Sequence, residues 1–249
     1  MKKQLLILAL PFLLLSGCAE LTSLIESLPT DVSLTEGEVA SGLKEALITG
    51  SRNASGILAA TDGYYGDELV KILLPEEAAV ILDNLSKIPG GEKLVEDVVL
   101  RINRAAEDAA REVAPVFVGS IKQMTINDAF TILNGADNAA TLYLVSKTRD
   151  ELYNLYKPRI TQSTEKEIIG GISTKESWEL LTGKWNKIAS SVPGKLAGLK
   201  PVNIDLDDYL TDKALDGMFL KVQEEEKKIR TEVSARVSPL LKKVFGSLD

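Results

Sequence analysis

The stretch EKLVEDVVLRINRAAEDAAREVA, residues 92–114, decides the fold class of this 249-residue chain. Its apolar and small residues recur at intervals of three and four, which places them on one face of an α-helix. That face consists of Leu94, Val98, Ile102, Ala105, Ala106, Ala109 and Val113. Small alanines in such a stripe allow a second helix to approach closely. The stretch therefore predicts a long amphipathic helix that ends before Pro115 and packs against other helices.

Similar spacing predicts helices along most of the chain. The further helical segments are 35–58, 75–89, 125–134, 137–158, 174–188, 205–229 and 239–245. A loop is expected from Pro193 to Pro201, and no alternating apolar run is bounded by hairpin turn residues. We therefore expect an all-α, multi-helix bundle with short connections, in which residues 35–249 form a single domain.

Several side chains have expected places in these helices. Asp128 stands at the start of one helix and Asp137 or Asn138 at the start of the next, where a side-chain oxygen caps free backbone N–H groups. Trp178 and Trp185 are seven residues apart on one helix face, so both rings are expected in the core. Pro158 is expected to end its helix, because proline has no N–H to donate.

The N-terminus carries the pattern of an exported protein. Lys2 and Lys3 precede an apolar run from Leu5 to Leu15, and small residues follow, which is the order of a secretory signal peptide. The apolar run is short for a transmembrane helix, which needs about 20 residues. Residues 1–17 are therefore predicted to be a signal peptide.

The segment Leu15-Ser16-Gly17-Cys18 resembles the lipobox of bacterial lipoproteins. The resemblance implies that Cys18 becomes the N-terminus and carries a diacylglycerol and an amide-linked acyl chain such as palmitate. Two or more acyl chains give stable membrane anchoring. Residues 18–34 then form a lipidated tether. Ala19 stands where an inner-membrane retention signal has an aspartate, which favours the periplasmic face of the outer membrane.

The tether has one apolar helical face, which ends at Pro29. That face consists of Leu21, Leu24, Ile25 and Leu28. The spacing leaves two alternatives open, in which residues 21–28 lie on the lipid or pack back on the domain.

Charge and composition exclude several function classes. The full chain has a net charge of −7, and loss of Lys2 and Lys3 with the signal peptide changes it to −9. This charge argues against nucleic-acid binding, which depends on neutralising phosphates, and against membrane docking by charge alone. The chain has no histidine, which excludes Ser-His-Asp catalysis and histidine-ligated zinc. We expect no cofactor.

Four carboxylates are candidates for acid and base catalysis, as in a glycan hydrolase: Asp212, Asp216, Glu225 and Glu226. The alternative is a solvated helix face, because Glu226 with Arg230 and Glu224 with Lys228 have the spacing of i,i+4 ion pairs. Catalysis would require a carboxylate in a cleft with a raised pKa.

Two other motifs suggest sites. Asn203-x-Asp205-x-Asp207 imitates the start of a calcium loop, but Asp208 and Ala214 replace the glycine and glutamate that such a loop requires, so no metal site is expected. Tyr64 and Tyr65 lie in a glycine-flanked loop. They form either an exposed recognition tip or a pair of rings that pack onto the bundle.

Three groups of segments together resemble a known family. They are Asp128-Ala-Phe-Thr-Ile-Leu133 with Ala139-Ala-Thr141, Tyr209-Leu-Thr-Asp-Lys-Ala-Leu-Asp-Gly-Met-Phe219, and Glu225-Glu-Lys-Lys-Ile-Arg230 with Lys243-Val-Phe-Gly246. They are similar to the family of bacterial envelope proteins called domain of unknown function 4197, over about residues 33–246. The resemblance implies an exported helical domain and implies no activity or site residues.

The leading hypothesis is a lipid-anchored, non-enzymatic module of the bacterial envelope that binds a protein partner or a cell-wall component. One alternative is a carboxylate-dependent hydrolase of cell-wall glycan, and the other is a carrier of an apolar ligand. A binding module predicts an exposed apolar patch and a filled interior. The carrier predicts an apolar cavity, and the hydrolase predicts a cleft lined by facing carboxylates.

Overall fold

Residues 33–249 are described by the structure, a computed structural model, and within them ten α-helices and no β-strand are present. In chain order, the helices are α1 (Glu36–Leu58), α2 (Ala79–Leu82), α3 (Gly91–Ala110), α4 (Val113–Gln123), α5 (Ala129–Leu133), α6 (Ala139–Glu165), α7 (Thr174–Ala189), α8 (Val192–Leu196), α9 (Leu206–Thr231) and α10 (Pro239–Phe245). The predicted all-α class is confirmed. The signal peptide, the lipidation of Cys18 and the apolar face of residues 21–28 lie outside the described residues.

Four long helices, α1, α3, α6 and α9, build the core. Helix α9 packs along α1 and α6, and α3 packs against α6 and α7. Residues 36–249 make one compact unit. Trp178 and Trp185 are both buried, as their spacing predicts. In the described part of the chain, no helix is long and apolar enough to span a bilayer.

Two glycines let elements approach more closely than any side chain would permit. A Cβ atom at Gly42 in α1 would lie 2.7 Å from Cγ2 of Val244 in α10. A Cβ atom at Gly217 in α9 would lie 2.7 Å from Cε1 of Tyr64. Both distances are well below van der Waals contact, so these positions require glycine for the observed packing.

The helix ends differ from the predicted ones at the prolines. Pro158 lies inside α6, which continues to Glu165. Tyr156 and Ile160, on either side of the proline, are both buried, so tertiary packing outweighs the lost backbone hydrogen bond. Helix α3 ends at Ala110, and Pro115 lies in the first turn of α4, where proline is tolerated. The expected loop after Pro193 begins with the short helix α8.

The predicted aspartate caps are wrong. Asp128 precedes α5 in the left-handed conformation, and its side chain makes no capping hydrogen bond. The carboxylate of Glu36 in α1 accepts the Ala129 N–H instead. The residue before α6 is Asn138, whose side chain also makes no capping bond. Carboxylates from other helices therefore cap α5 and α6, which a local sequence pattern does not reveal.

Candidate functional site

A groove of about 920 Å³ lies between α9 and an irregular segment, residues 69–74, which we call the strap. Arg149 of α6 closes one side of the groove, and Tyr209, Asp212 and Asp216 project from α9. The groove is open to solvent and its walls combine polar and apolar groups. We call it the α9 groove.

Side chains from the helices hold the strap in place. The side-chain amide of Asn103 in α3 accepts the Ile72 N–H at 2.9 Å and donates to the Ile72 carbonyl at 2.7 Å. The Tyr209 hydroxyl donates to the Leu73 carbonyl at 2.9 Å. Ile72 is buried, whereas Leu69 and Leu73 are 72% and 60% exposed. The strap thus presents two leucines to solvent on a fixed backbone.

Arg149 links the two candidate carboxylates in the groove. Its Nη2 atom lies 3.3 Å from Oδ1 of Asp212 and 2.9 Å from Oδ1 of Asp216. Both aspartate side chains are about half exposed. Since both carboxylates share one guanidinium at the surface, they form an ion-pair network and not an isolated acid and base.

Tyr209 lines the α9 groove and is partly buried. Burial raises the pKa of its phenol to about 12, and the negative charges of Glu77 and Glu76 add to this increase. A phenol with this pKa stays protonated at neutral pH. Its role is therefore the hydrogen bond that it donates to the strap.

Glu225 and Glu226 lie farther along α9 and have structural partners. Glu225 is buried and accepts from Asn53 Nδ2 at 2.7 Å and from Lys228 Nζ at 2.5 Å. Glu226 is buried as well, and its carboxylate accepts hydrogen bonds from the Thr141 N–H at 2.7 Å and from Nε of Arg230 at 2.8 Å. The predicted i,i+4 pair of Glu226 with Arg230 forms, but it lies in the interior and not on a solvated face. The predicted pair of Glu224 with Lys228 is wrong, because Lys228 pairs with Glu225 and Glu224 pairs with Lys221.

The structure does not bring the four candidate carboxylates together. Asp216 and Glu225 are nine residues apart on one helix, which corresponds to about 13.5 Å along its axis. The two carboxyl groups of a glycosidase are about 5 to 9.5 Å apart. Asp212 and Asp216 are neighbours on α9, but Arg149 neutralises them in part, and Glu225 and Glu226 are buried with partners of their own. This arrangement favours salt bridges and capping over acid and base catalysis.

Tyr64 is not part of an exposed recognition tip, because its ring is fully buried. Its hydroxyl donates to the Ala214 carbonyl at 2.7 Å, and its N–H donates to Oε1 of Glu107 at 3.2 Å. Burial raises the pKa of the Tyr64 phenol well above its usual value. Of the two alternatives for this residue, packing onto the bundle is correct.

Tyr65 remains partly accessible. Lys71 Nζ lies 4.6 Å from the centre of its ring, and the Arg104 guanidinium lies 5.7 Å from it. Both distances are in the range of cation–π contacts. Tyr65 thus contacts one cation of the strap and one of α3.

Sequence reasoning missed Arg149, Leu69 and Leu73. No local pattern marks Arg149, because its partners are 63 and 67 positions later in the chain. The spacing of Leu69 and Leu73 resembles that of a core face, and only the structure shows both to be exposed. Among the described residues, no group of three or more acidic, cysteine or histidine side chains is placed to bind a metal ion.

Comparison with known proteins identifies a family. The sequence model of the family described as "Protein of unknown function (DUF4197)" matches residues 33–246. No curated protein matches the chain, and no solved structure matches it.

Proposed function

The chain belongs to the DUF4197 family of proteins of unknown function, and we propose that it is a non-enzymatic binding module, held on a bacterial membrane by acyl chains on Cys18, that binds a protein partner in the α9 groove. The periplasmic face of the outer membrane is the proposed location, from the lipobox resemblance and Ala19.

The exposed strap leucines carry this proposal. Leu69 and Leu73 stand on a backbone that Asn103 and Tyr209 hold in place. A rigid surface loses little conformational entropy when a partner binds, so exposed apolar side chains on it are effective contacts. Apolar residues of this kind beside a groove are typical of protein interaction sites.

Charges of both signs line the α9 groove and suit a polypeptide partner. Arg149 and Lys213 provide cations, and Asp212, Asp216 and Glu77 provide anions. An extended polypeptide segment with some apolar side chains fits such a groove. The backbone N–H and C=O groups and the charged side chains of the segment can pair with groove charges of either sign.

The two alternative functions have less support. A carrier needs an enclosed apolar cavity, whereas the α9 groove is open and has mixed walls. A glycan hydrolase needs a pair of facing carboxylates across a cleft. Asp212 and Asp216 instead share Arg149, and Glu225 and Glu226 are buried with their own partners.

Site-specific photo-crosslinking in native envelopes tests the proposal. A photoreactive residue at Leu69 or Leu73 is expected to capture one discrete polypeptide, and the same residue at Val237, which is also exposed but lies outside the groove lining, is not. Arg149→Ala should reduce the capture at Leu73, since it changes one side of the groove.

Equal capture at Val237 and Leu73 would contradict a specific site. Release of sugar fragments from purified cell wall by the wild-type chain, abolished by Asp212→Asn, would establish the hydrolase instead. Exposed ion pairs contribute little to stability, so the Asp212→Asn variant should remain folded. A loss of sugar release in this variant would then be due to the missing carboxylate and not to unfolding.

A further inference from the structure

One region of this acidic chain has the opposite charge. Residues 180–204 contain four lysines and no aspartate or glutamate, in a chain whose net charge is −7. The four are Lys184, Lys187, Lys195 and Lys200. Among residues 33–249, none of them makes an ion pair with a carboxylate. We call residues 180–204 the α7–α8 corner.

Several contacts make this corner a rigid structure. The Ser191 side chain caps α8 by accepting the Gly194 N–H at 3.1 Å. Gly194 lies so close to α7 that a Cβ atom there would be 2.2 Å from the Ile188 carbonyl oxygen. Nε1 of Trp185 donates to the Lys200 carbonyl at 2.9 Å, which fixes the segment that follows α8.

The corner also exposes aliphatic side chains at its tip. Leu196 is 84% exposed and Val192 is 73% exposed. They are four residues apart on α8, so both lie on the same side of the helix. Lys195 is exposed between them, and Lys187 and Lys200 are exposed nearby in the chain. The tip therefore combines exposed apolar groups with one lysine on the same short helix and two exposed lysines close to it in the sequence.

We infer that the α7–α8 corner is a membrane-contact surface that docks on anionic phospholipid, with Val192 and Leu196 entering the interface and the lysines contacting headgroup phosphates. This inference depends neither on the α9 groove nor on the acylation of Cys18. It follows from the physical combination that interfacial segments use, namely exposed apolar side chains accompanied by basic ones.

Size and charge favour a lipid surface over a protein partner. A stable protein interface covers about 800 Å² on each partner, and a five-residue helix with two protruding aliphatic residues provides much less. Docking on a bilayer requires only that a few apolar side chains insert into it. Glu179 and Asp205 flank the corner in the sequence and line one hollow with its Asn186 and Asn203. Acidic groups farther away have limited effect, because salt screens charges beyond about 10 Å.

Vesicle flotation with residues 18–249 carrying Cys18→Ser tests the inference without acyl chains. Binding is expected to vesicles of phosphatidylethanolamine mixed with phosphatidylglycerol, to decrease with added salt, and to be weak on phosphatidylcholine. Each basic charge near an anionic surface changes the affinity about fivefold. Lys195→Gln/Lys200→Gln should therefore weaken binding by more than tenfold, and Leu196→Ser by about tenfold.

Matched variants separate the corner from general effects of charge and of exposed apolar side chains. Lys93→Gln/Lys242→Gln removes the same charge from exposed sites elsewhere, and Val237→Ser removes an exposed aliphatic residue. Neither should change binding by more than about twofold, because these sites do not contact the membrane. Equal losses of vesicle binding in the corner and control variants would overturn the inference. Wild-type binding that does not depend on phosphatidylglycerol would overturn it as well.

Discussion

Glu226 and Arg230 form a buried ion pair, with Oε1 of the carboxylate 2.8 Å from Nε of the guanidinium, at the junction of three helices. The carboxylate also accepts the N–H groups of Ala140 and Thr141 at the start of α6. The guanidinium donates to the carbonyl of Leu133 at the end of α5. One pair on α9 thus satisfies both the last turn of α5 and the first turn of α6.

Glu226→Gln should destabilise the fold strongly. The amide retains the size of the side chain but leaves Arg230 without a counter-charge in the interior, and breaking a buried pair costs about 3 to 5 kcal/mol. Urea unfolding followed by circular dichroism would measure the loss. Glu179→Gln, an exposed position on α7, is the control and should change the free energy of unfolding by less than about 0.5 kcal/mol. Equal effects of the two variants would show that the pair does not hold the junction.

Alanine at two helical glycines should have opposite effects on stability. In Gly217→Ala the new Cβ atom meets the buried Tyr64 ring at 2.7 Å, so overpacking of about 1 to 3 kcal/mol outweighs the gain in helix propensity. In Gly183→Ala nothing lies within 4 Å of the new atom, and stability should rise by about 0.5 to 1 kcal/mol. Thermal unfolding compares the two variants, and stabilisation by Gly217→Ala would mean that Tyr64 is not packed against α9.

Local patterns were sufficient to predict the fold class. The 3.6-residue spacing predicts most of the helices, and the spacing of Trp178 and Trp185 predicts their burial, because one face of each helix must meet the core. Helix ends were less predictable. Pro158 is accommodated within α6 because the residues beside it are buried, and burial depends on elements distant in the chain.

The arrangement of the candidate site could not be predicted, because it is set by contacts that residue spacing in the sequence does not reveal. Glu226 and Arg230 show the same i,i+4 pattern whether they face solvent or the interior, and only the packing of α6 on α9 decides between the two. Arg149 joins Asp212 and Asp216 across two helices. Such pairs are set by tertiary structure, which a single sequence does not encode in any local repeat.

Stability should be nearly constant between about pH 5 and 8 and decrease in acid. The chain has no histidine to titrate in the neutral range. The hydrogen bond from Lys221 lowers the pKa of Asp67 below its ordinary value of 3.8. A carboxyl whose folded pKa is lowered stabilises the protein above its unfolded pKa, and this contribution is lost as pH falls through the folded pKa. The loss should therefore begin below about pH 4.

Asp67→Asn tests the acid part of this profile. It should lower the stability at pH 7 and flatten the decrease below about pH 4, because the variant has no carboxyl to protonate at this position. Glu68→Gln is the control, since its side chain is highly exposed and its ion pair with Lys71 contributes little. Urea unfolding at a series of pH values measures both variants. An Asp67→Asn profile parallel to that of the wild type would contradict the linkage.

Membrane attachment should depend on the sulfur of Cys18. Because the lipobox resemblance implies acylation there, the intact mass of material from native membranes should correspond to a chain that begins at Cys18 and carries acyl groups. Cys18→Ser removes the only thiol in the sequence, so the variant should lack that added mass and lose its stable attachment, whereas Ser23→Ala in the tether should keep both. At least two acyl chains are needed for firm binding, so a single acyl group would leave the protein partly soluble. A bare Cys18 with residues 1–17 still attached would contradict the acyl anchor.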